Sequence, residues 1–167
     1  MPGEFFDIVD QNDDVIGKGT REEIHSKNLL HRTVQVLVLN SNNEILLQKR
    51  SQKMDTMKGY WSSSVGGHVN SNESYLDAAK REMEEEMGLK SELEEVGKVI
   101  STHPEHNQLV KIFICNNEGP FKPDPREIDV IEFVKPGKIK REIRLYTRKF
   151  TPAFPEVFRK FCEVKGL

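Results

Sequence analysis

The segment Ser74–Gly88, SYLDAAKREMEEEMG, constrains this chain more than any other. Ser74, with Asp77 three residues on, can cap a helix start, and Gly88 supplies a stop. On a helix turning 100° per residue, Leu76, Ala79, Met83 and Met87 fall within about 80° of one another and form a core-facing stripe. Glu82, Glu85 and Glu86 occupy a separate arc of roughly 100°, beside that stripe rather than opposite it. Glu84 points elsewhere and reads as an ordinary solvated acid. Like charges at these spacings repel by about a few tenths of a kcal/mol per pair on an isolated helix. At the edge of a core the repulsion grows, because charges there are poorly screened. A divalent cation removes the conflict, and hard oxygen ligands suit Mg²⁺ or Mn²⁺. A plain solvated acidic face is the competing reading, and the helix alone does not choose between them.

The elements around it alternate. Phe5–Val9, a turn at Asp10–Asp13, and Val15-Ile16 read as a hairpin, followed by a short helix opened by Thr20 with Glu23 as its capping-box partner. Thr33–Leu39 and Glu44–Gln48 read as strands joined by a turn-rich Asn-Ser-Asn-Asn. A polar loop leads to Trp61-Ser-Ser-Ser-Val65 and the glycine pair Gly66-Gly67. Further strands are expected near Val96–Ser101, Leu109–Cys115 and Ile128–Val134, and two helices over about 137–165. Thr151-Pro152 is a favourable cap and first position for the second of these. Mixed strands and helices without a repeat or linker indicate one α/β or α+β sandwich domain over 1–167, its hairpin and short helix spanning about 4–30.

Bulk properties exclude several classes. Hydrophobic content of 36% and charged content of 31% describe a polar globular chain,. A net charge of −2 gives no global attraction to nucleic acid or an anionic membrane,. The acidic opening MPGEFFDIVD lacks the basic and apolar regions of a secretory signal, and no apolar run is long enough to span a bilayer. Two cysteines, Cys115 and Cys162, have no disulfide or zinc spacing, so a cytoplasmic, reducing home is expected.

The surroundings of the glutamates sharpen their meaning. Gly67, five residues, Glu73, seven residues, Arg81-Glu82-Met83, one residue, Glu85-Glu86, one residue and Gly88-Leu89 reproduce the Nudix box without a departure. Seven single-type positions coincide by chance at fewer than roughly one in 10⁷ starting points. The chain resembles the Nudix hydrolase family, with the box over 67–89. The resemblance implies an α/β/α sandwich around a mixed sheet, and Mg²⁺- or Mn²⁺-dependent attack of water on a phosphorus of a small diphosphate-linked substrate. It implies Glu82, Glu85 and Glu86 as metal ligands, Arg81 as the residue that orients them, and Glu73 as the partner of Arg81. Gly67 is expected to make a tight turn that brings a backbone carbonyl near the metal. A catalytic base from outside the box is also implied, with Glu105 and Glu127 as candidates, and a homodimer is common in the family.

Glu4–Asp10, His25–His31 and Trp61–His68 are similar to the isopentenyl-diphosphate isomerase-like branch of that family. The isomerases carry a catalytic cysteine where this chain has Gly66, and glycine has no proton to give or take. They also bind a metal through three histidines and two downstream glutamates. His25, His31 and His68 match roughly, while His106 and Gln108 replace the downstream pair. A second, transition-metal site at those histidines is one expectation; cleft histidines that only hydrogen-bond are the other. By the same resemblance Lys49, Arg50, Lys53 and Lys58 are candidates for gripping diphosphate, Arg50 foremost because its guanidinium offers a fixed fork. Trp61 could stack on a ring or pack in the core. Pro104, fifteen residues beyond Leu89, matches a spacing of ADP-ribose hydrolases, but the chain has eight prolines. Lys135–Lys149 reads as an amphipathic helix with Ile139, Ile143, Tyr146 and Phe150 inward and a wet basic face, which makes nucleic-acid binding a remote reading. The readings left open are a diphosphate hydrolase, an isomerase, and a silent nucleotide-binding module; the intact box favours the first.

Overall fold

The computed structural model describes residues 4–167, so the first three residues of the expected domain lie outside the described residues. In chain order the elements are β1 (Phe5–Val9), β2 (Val15–Thr20), α1 (Arg21–Ser26), β3 (His31–Leu39), β4 (Ile45–Arg50), β5 (Trp61–Ser62), β6 (Val65–His68), α2 (Tyr75–Met87), β7 (Glu94–His103), β8 (His106–Asn116), β9 (Ile128–Val134), α3 (Pro136–Leu145) and α4 (Phe154–Lys165).

Strand β3 organises the sheet. It runs antiparallel to β6 and parallel to β8, and touches β1 and β4 at its ends. β4 continues antiparallel to β9 and β5. The period-2 alternation of β3 sorts its side chains to two faces. Val34, Val36 and Val38 join Leu46, Val65, Phe113 and the α2 residues Ala78, Ala79, Met83 and Met87 in one core. Leu37 and Leu39 join Ile45, Leu47, Ile112, Ile139 of α3 and Phe154, Val157, Phe158 and Phe161 of α4 in the other. The result is the α/β/α sandwich around a mixed sheet that the resemblance implied. No helix among the described residues is long and apolar enough to cross a membrane.

Three local readings are corrected. Leu76 leaves the core stripe at 40% exposure, and Ala78 takes its place in the seam. Thr151 does not cap the last helix: its hydroxyl bonds the Ser62 hydroxyl, Pro152 and Ala153 form a turn, and α4 starts at Phe154 with Pro155 in its first turn. α3 stops at Leu145, where Tyr146 takes a left-handed φ of 53° and stands 92% exposed, off the expected apolar face. The Thr20 capping box, the Ser74 cap and the Gly88 stop form as read. Pro104 lies in the turn between β7 and β8.

Met83 is buried at the centre of the α2 seam, whereas Leu76 is not. Met83→Ala is expected to lower stability by about 2–5 kcal/mol, and Leu76→Ala by less than about 1 kcal/mol. Urea denaturation of the two variants checks this, and equal losses would refute the assigned seam.

Candidate active site

The acidic arc of α2 faces a cleft of about 380 Å³. Its walls include Gln48 and Arg50 from β4, Gly66, Gly67 and His68 from β6, and Glu82, Glu85, Glu86 and Glu127. Arg81 anchors the acids. Its Nε and Nη2 donate to the two oxygens of Glu73 at 2.8 and 3.0 Å, Nη2 also reaches the His68 carbonyl at 3.0 Å, and Nη1 donates to Glu82 at 2.8 Å and Glu85 at 3.4 Å. A planar guanidinium is suited to such a fork. Burial pushes the Glu73 carboxyl up, but Arg81 and the Asn70 N–H outweigh it and hold it below the usual range. Glu84, by contrast, is exposed and pairs only with Lys90, as its position on the helix predicts.

Glu86 is the most enclosed of the acids, at 4% exposure. Oε1 accepts from Gln48 Nε2 and Oε2 from the Gly66 amide, each at 3.0 Å. No cation pairs with it among the described residues. Burial, with Glu82 adding, drives its pKa well above the ordinary value despite those two donors. Glu82 is pushed up to about 7, first by burial, against the pull of Arg81. Glu85 stays on the exposed rim. Glu82, Glu85, Glu86 and Glu127 share this cleft, with Arg81 directly bonded to the first two; such hard oxygens fit a Mg²⁺- or Mn²⁺-sized ion,.

Gly67 has a different cause from the one expected. It lies within β6, paired with Val34, and makes no turn. A Cβ there would collide with the Glu82 carboxyl group, so glycine is required for space. Gly66, its neighbour, is not so confined: a Cβ would meet Gln35 Cγ and the Val34 carbonyl at 3.6 Å, an ordinary contact.

The cleft sorts the remaining candidates. Arg50 lines it, with Nε and Nη2 donating to the Thr56 carbonyl at 3.3 and 3.0 Å and no carboxylate bonded to it. Burial lowers its pKa, while Glu86 and Glu127 pull it up. Lys49, Lys53 and Trp61 are not among the cleft-lining residues, and neither is Lys58. Lys49 projects from the opposite face of β4 to Gln48 and Arg50, as alternation requires. Trp61 packs on the α4-side core and carries the Arg148 guanidinium 4.3 Å over its ring. Of the two candidate bases, Glu127 lines the cleft, whereas Glu105 sits in the β7–β8 turn outside it. Burial, then Asp124, raises the Glu127 pKa. Its backbone is fixed by the Asp124 carbonyl and the Ser51 amide at 3.0 and 2.8 Å.

At the other end of the cleft, one ring nitrogen each of His25, His31 and His68 lies within 4.8 Å of the others. His25 Nε2 and His68 Nε2 are 3.2 Å apart. His31 Nδ1 bonds the Leu29 carbonyl at 2.9 Å, and its buried Nε2 has no partner. His106 stands edge-on to His25, with ring centroids 6.1 Å apart. Burial, reinforced by His31, Arg21 and His106, lowers His25 to about 4 and His68 well below its usual value. Two cleft residues escaped the sequence reading. Arg21 opens α1 and has no ion-pair partner among the described residues; nothing in its sequence position signals that. Gln48 had a signal, as the one polar residue in the run Ile45-Leu-Leu-Gln48.

Comparison with known proteins places the chain by family and fold. The NUDIX domain family matches residues 29–154. A relative from Yersinia pestis, described as an uncharacterized Nudix hydrolase, is 33% identical, with 89% of this chain and 80% of the relative covered. An isopentenyl-diphosphate Delta-isomerase from Serratia proteamaculans is 37% identical over 93 residues, 56% of this chain and 52% of its own. A crystal structure from Deinococcus radiodurans has the same fold, with a TM-score of 0.79 at 21% identity over 94% of this chain and 98% of that one. The acid-bearing helix thus stands in the fold and family that its sequence spacing indicated, and the chain belongs to the NUDIX domain family of hydrolases.

Proposed function

We propose that this protein hydrolyses the diphosphate linkage of a nucleoside diphosphate derivative or related small molecule, with Mg²⁺ or Mn²⁺ held by Glu82, Glu85 and Glu86. The observation that carries this reading is Glu86: a buried carboxylate on the cleft wall, bonded by two neutral donors and by no cation. A divalent ion bound there would neutralise charge developing on the phosphoryl oxygens and make water a better nucleophile. Arg50, free of any bonded carboxylate, offers its remaining N–H groups to phosphate oxygens,. Glu127 is our choice for the base: it lines the cleft, and burial and Asp124 raise its pKa, the direction that makes a carboxylate a stronger base,. The water oxygen bonds to phosphorus, the anhydride P–O bond breaks, and the proton passes to Glu127. Glu73 and Arg81 hold Glu82 in place and touch no reacting atom in this reading. Two free, buried cysteines fit a cytoplasmic setting,.

Isomerisation of isopentenyl diphosphate is disfavoured. Position 66 has room for a side chain but holds glycine, and neither Cys115 nor Cys162 lines the cleft. The histidine cluster supports a second reading, a transition-metal site at His25, His31 and His68, on the strength of three converging imidazoles and a buried His31 Nε2 that has no hydrogen-bond partner among the described residues,. Metal analysis of the protein as purified tests it; absence of a transition metal after growth in supplemented medium would refute it.

The hydrolase reading is tested with Mg²⁺ or Mn²⁺ and a panel of nucleotides, nucleotide sugars, ADP-ribose, dinucleoside polyphosphates and coenzyme A. At least one compound is expected to be cleaved, with Glu86→Gln slower by about 10²-fold or more. No cleavage of any member, or a Glu86→Gln enzyme as fast as wild type, would refute it. The acids also make a stability prediction for the metal-free protein. The folded-state pKa of Glu82, about 7, lies above its ordinary value of 4.5. Its contribution is therefore fully present below about pH 4.5 and lost as pH rises through 7. In EDTA, Glu82→Gln is expected to gain on wild type over that window by up to about 3 kcal/mol. Urea midpoints read this, and a pH-independent difference would contradict it.

A further inference from the structure

Gln48 lines the cleft from outside the Nudix box and touches one of its glutamates. Gln48 is 4% exposed, on the α2-facing row of β4 that also carries the core residue Leu46. A primary amide at such a position destabilises the core unless its hydrogen bonds are made. Here both N–H bonds are committed: Nε2 donates to the Ser64 carbonyl and to Glu86 Oε1, each at 3.0 Å. A carbonyl and an ionised carboxylate only accept, so the nitrogen end of the amide must face them. The Ser64 carbonyl is itself fixed, because its hydroxyl accepts from the Val38 amide at 2.8 Å and donates to the Leu46 carbonyl. A short line of hydrogen bonds thus runs from β3 and β4 through Ser64 and Gln48 to Glu86.

The geometry points to Gln48 as a positioning residue that orients the Glu86 carboxylate for a divalent ion. This rests on the reading of Glu86 as a metal ligand proposed above. Each carboxylate oxygen has two in-plane acceptor sites. Gln48 takes one on Oε1 and the Gly66 amide takes one on Oε2, both from the sheet, so one site on each oxygen stays free. Partners that orient a metal-binding carboxylate in this way typically affect metal affinity by roughly 10–100-fold. The neutrality of the donor matters as much as its place. A lysine or arginine at 48 would satisfy Glu86 as a salt-bridge partner and compete with the ion for its charge. Glutamine fixes the carboxylate without bringing a charge of its own. The contrast with Glu82 is plain, since its Oε1 is already engaged by Arg81.

The test uses Mn²⁺ alone, with free ion counted by electron paramagnetic resonance during titration of the full chain. Gln48→Met keeps the length of the side chain and removes both donors. It is expected to retain the native near-ultraviolet dichroism and to bind Mn²⁺ about tenfold more weakly, while Glu86→Gln binds it more weakly still. A folded Gln48→Met protein with wild-type Mn²⁺ affinity, beside a Glu86→Gln protein that has lost it, overturns the role of Gln48 and leaves the glutamate reading standing. Wild-type affinity in Glu86→Gln overturns both. If Gln48→Met does not fold, the wild-type side-chain amide resonance of Gln48 decides. It is expected to shift with Mg²⁺ and to be bleached by Mn²⁺, and an unmoved, unbleached resonance overturns the assignment.

Discussion

The carboxylate of Glu86 meets the sheet where β4 and β6 leave a neutral amide and a backbone N–H pointing at it. Two hydrogen bonds of 3.0 Å orient an anion there but do not neutralise it, and burial drives its pKa up accordingly. Helix α2 cannot withdraw it, because Ala78, Ala79, Met83 and Met87 fix the helix on its core by the adjoining stripe. The apolar seam and the charged arc are therefore one constraint. Packing of the first brings the second to the cleft, and the unfavourable electrostatics that result are what a divalent ion would relieve.

Arg81 limits how far that conflict spreads. Its fork onto Glu73 ties α2 to the turn that precedes it, and its third bond, to the His68 carbonyl, ties the helix to β6. What remains of its donor capacity reaches Glu82 and Glu85, but not Glu86. The acids are thus graded: Glu85 wet and paired at 3.4 Å, Glu82 half-satisfied at 2.8 Å, Glu86 enclosed without a cation. A gradation of this kind follows from one guanidinium of fixed reach placed five residues, about 1.4 turns, N-terminal to the deepest carboxylate.

Much of this was legible in the sequence, for particular reasons. The seam of α2 could be read because a 3.6-residue period leaves little freedom over thirteen residues, and Leu76 misled because it stands in the first turn of the helix, where it stays 40% exposed while Ala78 is fully buried. The Glu73–Arg81 pair was implied by the family resemblance, and the bystander Glu84 followed from helical spacing. The cause of Gly67 did not: a turn and a steric cradle demand the same residue, and only the position of Glu82 against β6 separates them. Trp61 looked available because its neighbour along the sequence is a basic loop, yet Arg148, arriving from after α3, covers its ring. Glu127 and Glu105 were indistinguishable until the segment before β9 was seen clamped to Ser51 and Asp124. These failures share a cause, since each depends on which distant segment arrives at a position that local periodicity leaves open.

The four residues of β6 show how closely the two ends of the cleft are joined. Alternation sends Val65 and Gly67 to the α2 side, where one fills the core and the other makes room for Glu82. It sends Gly66 and His68 to the opposite side, toward Gln35 and the histidines. The backbone of the same strand gives an N–H to Glu86 and a carbonyl to Arg81. A shift of β6 by one residue would exchange the two faces and lose all four functions together. Its register is held by pairing with β3 from Thr33 to Val36, so the central strand of the sheet fixes both the acid-lined and the histidine-lined ends of the cleft.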